Sequence, residues 1–189
     1  AKQGQIEEDD VARFEILGRC AEILEEHLNR PDDAFSYLSV MVSMDPSKDG
    51  LIPRLEGVGR VADKSAERYA IYKGLLGIGE SDFAPLNTLD EAREQEVALL
   101  LASLAEEHDE SDIAVEALKR ARLVAPGEID LFERLEGLYE ASDRNEDLLA
   151  LLEEKKEYVW DEDEKIGLFA RVADILANQE ERGIIPLSK

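Results

Sequence analysis

An all-α array of antiparallel helix pairs is the fold class this sequence predicts, and three observations predict it. The hydrophobic fraction is 44% but aromatics make up only 6%, so the core must be mostly aliphatic, a composition that suits helix packing. Apolar residues between the breaks recur at helical spacing, as in Leu131, Leu135 and Leu138 with Phe132 and Tyr139, or Leu168, Val172, Ile175 and Leu176. No stretch alternates convincingly as a strand. The third observation is an internal repeat: a shift of 80 residues places Arg54-Leu55-Glu56-Gly57 on Arg134-Leu135-Glu136-Gly137. The same gapless register superposes Leu24 on Leu104, Ala34 on Ala114, Leu38 on Leu118, Pro46 on Pro126, Leu51 on Leu131, Asp63 on Asp143 and Ala70 on Ala150.

Nine helices follow in order, near 8–28, 32–45, 50–63, 65–78, 88–108, 111–125, 128–142, 145–159 and 162–181. Pro31, Pro46 and Pro126, with Gly50 and Gly127, mark the ends and entries of the early and middle helices. Thr88 with Glu91 and Asp161 with Glu164 have the spacing of an N-cap and a carboxylate that reaches back, and so open the fifth and ninth helices. A basic unit of about 34 residues fits the steps Ala34 to Arg68 and Ala114 to Leu148. The middle step, Arg68 to Ala114, is 46, so about twelve residues are inserted, in the Gly-, Pro- and Ser-rich loop near 79–88. The chain reads as a single domain over 1–189.

Charge narrows the function classes. Against 45 Asp and Glu stand 22 Lys and Arg, a net charge of -23. A surface this negative repels phosphate backbones and anionic lipid, and the basic residues are scattered rather than concentrated. No nucleic-acid partner is expected. No apolar run approaches the ~18–20 residues of a membrane span, so no membrane insertion is expected either. The expected compartment is the cytoplasm; because the chain opens on Ala1, a processed secreted or periplasmic fragment is the alternative. The lone Cys20 lies in an apolar helical pattern and reads as a buried, inert thiol.

The units resemble tetratricopeptide-type helical hairpins. On the second helix Ala114, Leu118, Ala121 and Pro126 carry the small-residue and closing-Pro pattern; on the first, Phe132, Leu135 and Tyr139 carry the large-Leu-Tyr pattern, with Glu136 in the place of the usual small residue. Ala34, Leu38, Met41 and Pro46 repeat it in the first unit. The resemblance implies a right-handed α-solenoid of about four and a half helix pairs, with a concave face lined by first helices that binds an extended peptide. The ninth helix has no partner helix within these residues.

Sites of chemistry are scarce. His27 and His108 fall near the ends of corresponding first helices, without a His or Cys at close helical spacing, and read as residues favouring the helix dipole. Asp161-Glu162-Asp163-Glu164 lacks the alternation and central Gly of a calcium loop. Gly74-x-x-Gly77-x-Gly79 follows a helix rather than a strand and terminates it. No enzyme, cofactor or metal site is expected.

Binding is therefore the expected function, through partner-facing residues Arg19, His27, Arg60, Glu106, Glu107, Glu133, Arg134, Glu140 and Arg171. Ile23, Glu26, Leu99, Ser103 and Gly137 share that face in the expected register. Arg54, Arg134 and Arg171 recur at matched places in three first helices and fit two readings: a guanidinium ladder clamping partner carboxylates, or ion pairs between repeats, which weighs more. The largely acidic later part of the face favours a basic protein or peptide partner. Trp160, Phe83 and Leu86 are candidate exposed anchors, more often tucked against a neighbouring repeat. The alternative functions are a structural subunit self-associating through the unpaired ninth helix, and, behind it, an enzyme with unrecognised carboxylate chemistry.

Overall fold

A computed structural model describes residues 2–181, with side chains described over 9–179. Its helices are α1 (Lys2–Glu26), α2 (Pro31–Met44), α3 (Leu51–Val61), α4 (Ser65–Leu76), α5 (Glu91–Glu107), α6 (Ser111–Val124), α7 (Ile129–Ala141), α8 (Asn145–Lys155) and α9 (Glu162–Glu181). Every helix expected from periodicity is present, and no strand occurs among the described residues. Each hairpin is a first helix, a tight turn, and a second helix packed back on it.

The helices gather into two compact units, Ala1–Val124 and Ala125–Lys189. In the first, α1 packs on α2, α3 on α4 and α5 on α6, and α2 on α3 and α4 on α5 join the hairpins. Its core is aliphatic, with Leu38, Ile52, Leu55, Leu101 and Leu118 fully buried around Phe35 and Tyr72. Between α5 and α6 the fully buried Ala98, Ala102 and Ala105 face a helix carrying Ala114, Ala117 and Ala121, small residues that let the two backbones approach. In the second unit α7 packs on α8 and α8 on α9, around Phe132, Leu135, Leu148 and Leu152.

The four turns inside the hairpins share one device. Asn29, Asp63, Asp109 and Asp143 each stand at positive φ, between 49° and 57°. Asn and Asp tolerate this left-handed region better than other side chains do. At Asp63, Asp109 and Asp143 the turn is a Schellman motif: the next residue's N–H reaches back five residues, from Lys64 to Gly59, Glu110 to Ala105 and Arg144 to Tyr139. That next residue then opens the second helix, its carbonyl accepting from Arg68, Ala114 and Leu148.

Of the two expected N-caps, one is found and one is not. Asp161 does cap α9, its carboxylate accepting the Glu164 N–H at 3.0 Å. Thr88 does not cap α5: Asp90 takes that place, accepting the Arg93 N–H at 2.8 Å, and the helix starts at Glu91. The stretch 77–90 between α4 and α5 is held at both ends. Gly77, at φ +65°, ends α4, and the loop then passes so close to Gly74 that a Cβ there would lie 2.1 Å from the Phe83 carbonyl oxygen. Further on, the Leu86 N–H and the Asn87 amide donate to the Ser43 and Met44 carbonyls, and Ser47 Oγ accepts from the Asp90 N–H. The loop thus satisfies carbonyls of the last turn of α2 that have no partner within the helix.

Candidate functional site

The first helices α1, α3, α5, α7 and α9 carry the polar residues from which a binding face could be built, and most of their cations are already engaged. Arg54 on α3 forks onto Glu25 of α1, with Nη2 and Nε at 2.7 and 3.0 Å from Oε1. Arg60, exposed at the end of α3, donates to Glu56 one turn back at 2.6 Å, and Glu107 adds to the negative field around it. Arg171 on α9 donates to both Glu136 and Glu140 of α7. Of the two arginine readings, the ion pair between repeats is the geometry found at Arg54 and Arg171.

Each unit holds one carboxylate cluster behind these side chains. Glu136 is 4% exposed, yet it stands where tetratricopeptide-like hairpins place a small residue; Lys155 of α8, 8% exposed, donates to it at 2.7 Å, and Arg171 supplies the second cation. In the earlier copy Glu56 accepts from Arg68 and from the Tyr72 hydroxyl, both on α4, besides Arg60. The cation changes register for a steric reason. Gly59 leaves room for the Arg68 stem, which passes where a Cβ would stand, whereas the equivalent residue of α7 is the buried Tyr139 and the cation comes from about two turns further along at Lys155. Burial pushes the Glu56 pKa up, but hydrogen bonds from Tyr72, Arg60 and Arg68 outweigh it and hold the pKa below the ordinary value. Burial, then Glu56, raises the Tyr72 pKa.

The burial of Glu136 and the second-helix partners Arg68, Tyr72 and Lys155 are what sequence reasoning missed. The signal was present in the duplicated Arg-Leu-Glu-Gly, which repeats a charged residue where the pattern calls for a small one. The Glu56 cluster has the character of a structural ion pair, since the pKa of Glu56 moves away from the raised value that a general acid needs. Among the described residues no group of three or more His, Cys, Asp or Glu is placed to hold a metal ion, and no helix is long and apolar enough to cross a membrane.

The remaining site residues fall on different parts of the chain. Arg19, His27, Glu106, Glu107 and Glu133 are exposed, and Arg134 is half-buried. Arg60 lies in the field of Glu107, and Arg171 meets Glu140. His108 caps the end of α5, where its ring meets Ser65 Oγ at 3.2 Å and lies 5.3 Å from the Tyr69 ring. Cys20 is half-buried rather than buried. Trp160 and Leu86 are not tucked under a neighbouring repeat: they are 87% and 75% exposed, while Phe83 is half-buried beside Gly74. An open cleft of about 290 Å³ between α1 and the end of α2 has apolar walls from Val11, Phe14 and Met44, with Asp10 and Lys48 at its edges.

No protein-family model matches the chain, and no curated protein matches it. Among solved structures it is similar to "Crystal structure of MamA protein", at 14% identity over 94% of this chain and 97% of that one, with a TM-score of 0.49. A second similar structure is "MamA RS-1 ArsTM double mutant", at 9% identity over 89% and 97%, with a TM-score of 0.48.

Proposed function

We propose that the chain is a protein-interaction scaffold whose first helices, in each unit, present acidic side chains to a basic peptide or protein segment. The observation that supports this reading is the state of the cations. Arg54, Arg60 and Arg171 are each bound by this chain's own carboxylates, while Glu106 and Glu107 on α5, and Glu133 on α7, stand exposed. A ligand meeting these helices therefore meets negative charge, and Lys or Arg side chains complement it. Arg19, His27, Arg134 and Glu140 complete the proposed set, as residues that fix register rather than supply the attraction.

The test uses a labelled Lys- and Arg-rich peptide and follows its anisotropy. Binding should weaken as salt rises. It should weaken several-fold further in Glu106→Gln/Glu107→Gln or in Glu133→Gln, but not when Glu116 and Glu146, exposed on the second helices α6 and α8, are neutralised instead. Equal losses from both sets of variants would mean diffuse attraction to an acidic chain and would remove the first-helix face from the proposal.

A further inference from the structure

Helix α9 repeats the register of α7. Setting Arg171 on Arg134 places Leu168 on Leu131, Phe169 on Phe132, Ala173 on Glu136 and Leu176 on Tyr139. One register position behaves alike in both helices, since Leu131 and Leu168 are 2% and 8% exposed. The adjoining face does not. Phe132 and Tyr139 are buried in α7, where α8 follows, whereas Phe169 and Leu176 are 55% and 39% exposed. Ile166, 63% exposed, extends the same stripe, and Ala170, Ala173 and Ala177 fill it in at helical spacing. Ala173 also supplies the small residue that Glu56 and Glu136 deny to the earlier hairpins, so a helix could approach α9 closely with no cation to match a buried carboxylate.

Charge selects the occupant. Within this chain, second helices α4, α6 and α8 carry Lys73, Arg122 and Lys155 in their last turns, and Arg120 near the end of α6 pairs with Glu94 in the first turn of α5. Helix α9 opens on Glu162, Asp163 and Glu164, all exposed, and carries no cation in its own last turn. An antiparallel helix therefore meets that acidic first turn with its own last turn, where Lys or Arg side chains complement it. We propose that the stripe Ile166, Phe169, Ala173 and Leu176 docks an amphipathic helix of a partner protein, antiparallel to α9, apolar at three- and four-residue spacing and carrying Lys or Arg in its last turn. The docked helix completes a fifth hairpin in trans. This site is separate from the acidic first-helix face and stands or falls independently of it.

The probe is a labelled peptide of residues 111–126, the chain's own second helix, with Ala114, Leu118 and Ala121 on one face and Lys119, Arg120 and Arg122 near its end. Fluorescence anisotropy should show saturable binding, weakened about tenfold or more by Phe169→Glu with Leu176→Glu, and likewise when the three cations of the probe are changed to Glu. Leu176 is exposed, and Phe169 meets the Lys156 ammonium over its ring, which a carboxylate at 169 can still pair with, so the variant should keep the helical circular dichroism and melting temperature of the parent. Four results would overturn the proposal: no binding of the peptide, binding indifferent to the α9 substitutions, a lowered melting temperature showing that the chain itself covers the stripe, or light scattering that finds a dimer in the parent and a monomer in the variant.

Discussion

Glu136 replaces a small residue with a charge, and its burial is tolerated because two cations meet it. Removing one member of a buried pair leaves the other uncompensated, whereas replacing both by apolar side chains is close to neutral. Glu136→Ala, which strands Lys155, is therefore expected to cost about 3 kcal/mol, and Glu136→Ala with Lys155→Met less than about 1 kcal/mol, read from urea midpoints as a double-mutant cycle. Glu56 makes a pH prediction. Its folded pKa lies below the ordinary 4.5, so its contribution to stability is fully present above that value and is lost as pH falls through the folded pKa. The stability difference between the parent and Glu56→Gln should be widest near neutral pH and shrink through the acid range below 4.5, which denaturant midpoints at several pH values will show.

At the scale of the element, the turns inside the hairpins carry the periodicity more faithfully than the helices do. Asn29, Asp63, Asp109 and Asp143 are separated by 34, 46 and 34 residues, the same steps inferred from the apolar pattern, with the longer one spanning the loop at 77–90. An Asx residue followed by the entry into a second helix was readable in the sequence, although only the pair Asp63 and Asp143 stood out, because the partner of Asp109 is an Asn. A β-branched residue at such a position meets the steric cost of the left-handed region. Asp143→Val is expected to destabilise by about 1–2 kcal/mol, and Asp143→Gly to be within a few tenths of the parent or better, as judged by thermal unfolding. The start of α5 was misread because Thr88 and Glu91 have capping spacing; Asp90 lies nearer the helix, and Thr88 is instead bound through its carbonyl to Ser47.

For the molecule as a whole, a net charge of -23 is spread over helices whose cations are largely used internally, so association with a basic segment should be attractive at low salt and fade with screening, the dependence the peptide titration reads. The sequence by itself determined the all-helical class, the count and order of the helices and the duplication, because 3.6-residue periodicity, punctuation by Pro and Gly, and an 80-residue register are local or self-referential properties of the chain. Only the tertiary structure decided which charges are spent: that Arg54 meets Glu25, that Arg171 meets Glu136 and Glu140, that Glu136 is buried, and that Trp160 and Phe169 are open. The reason is physical. A side chain's partner and its burial depend on residues brought near by packing rather than by sequence spacing, and an exposed carboxylate is indistinguishable from a buried, paired one until that packing is known.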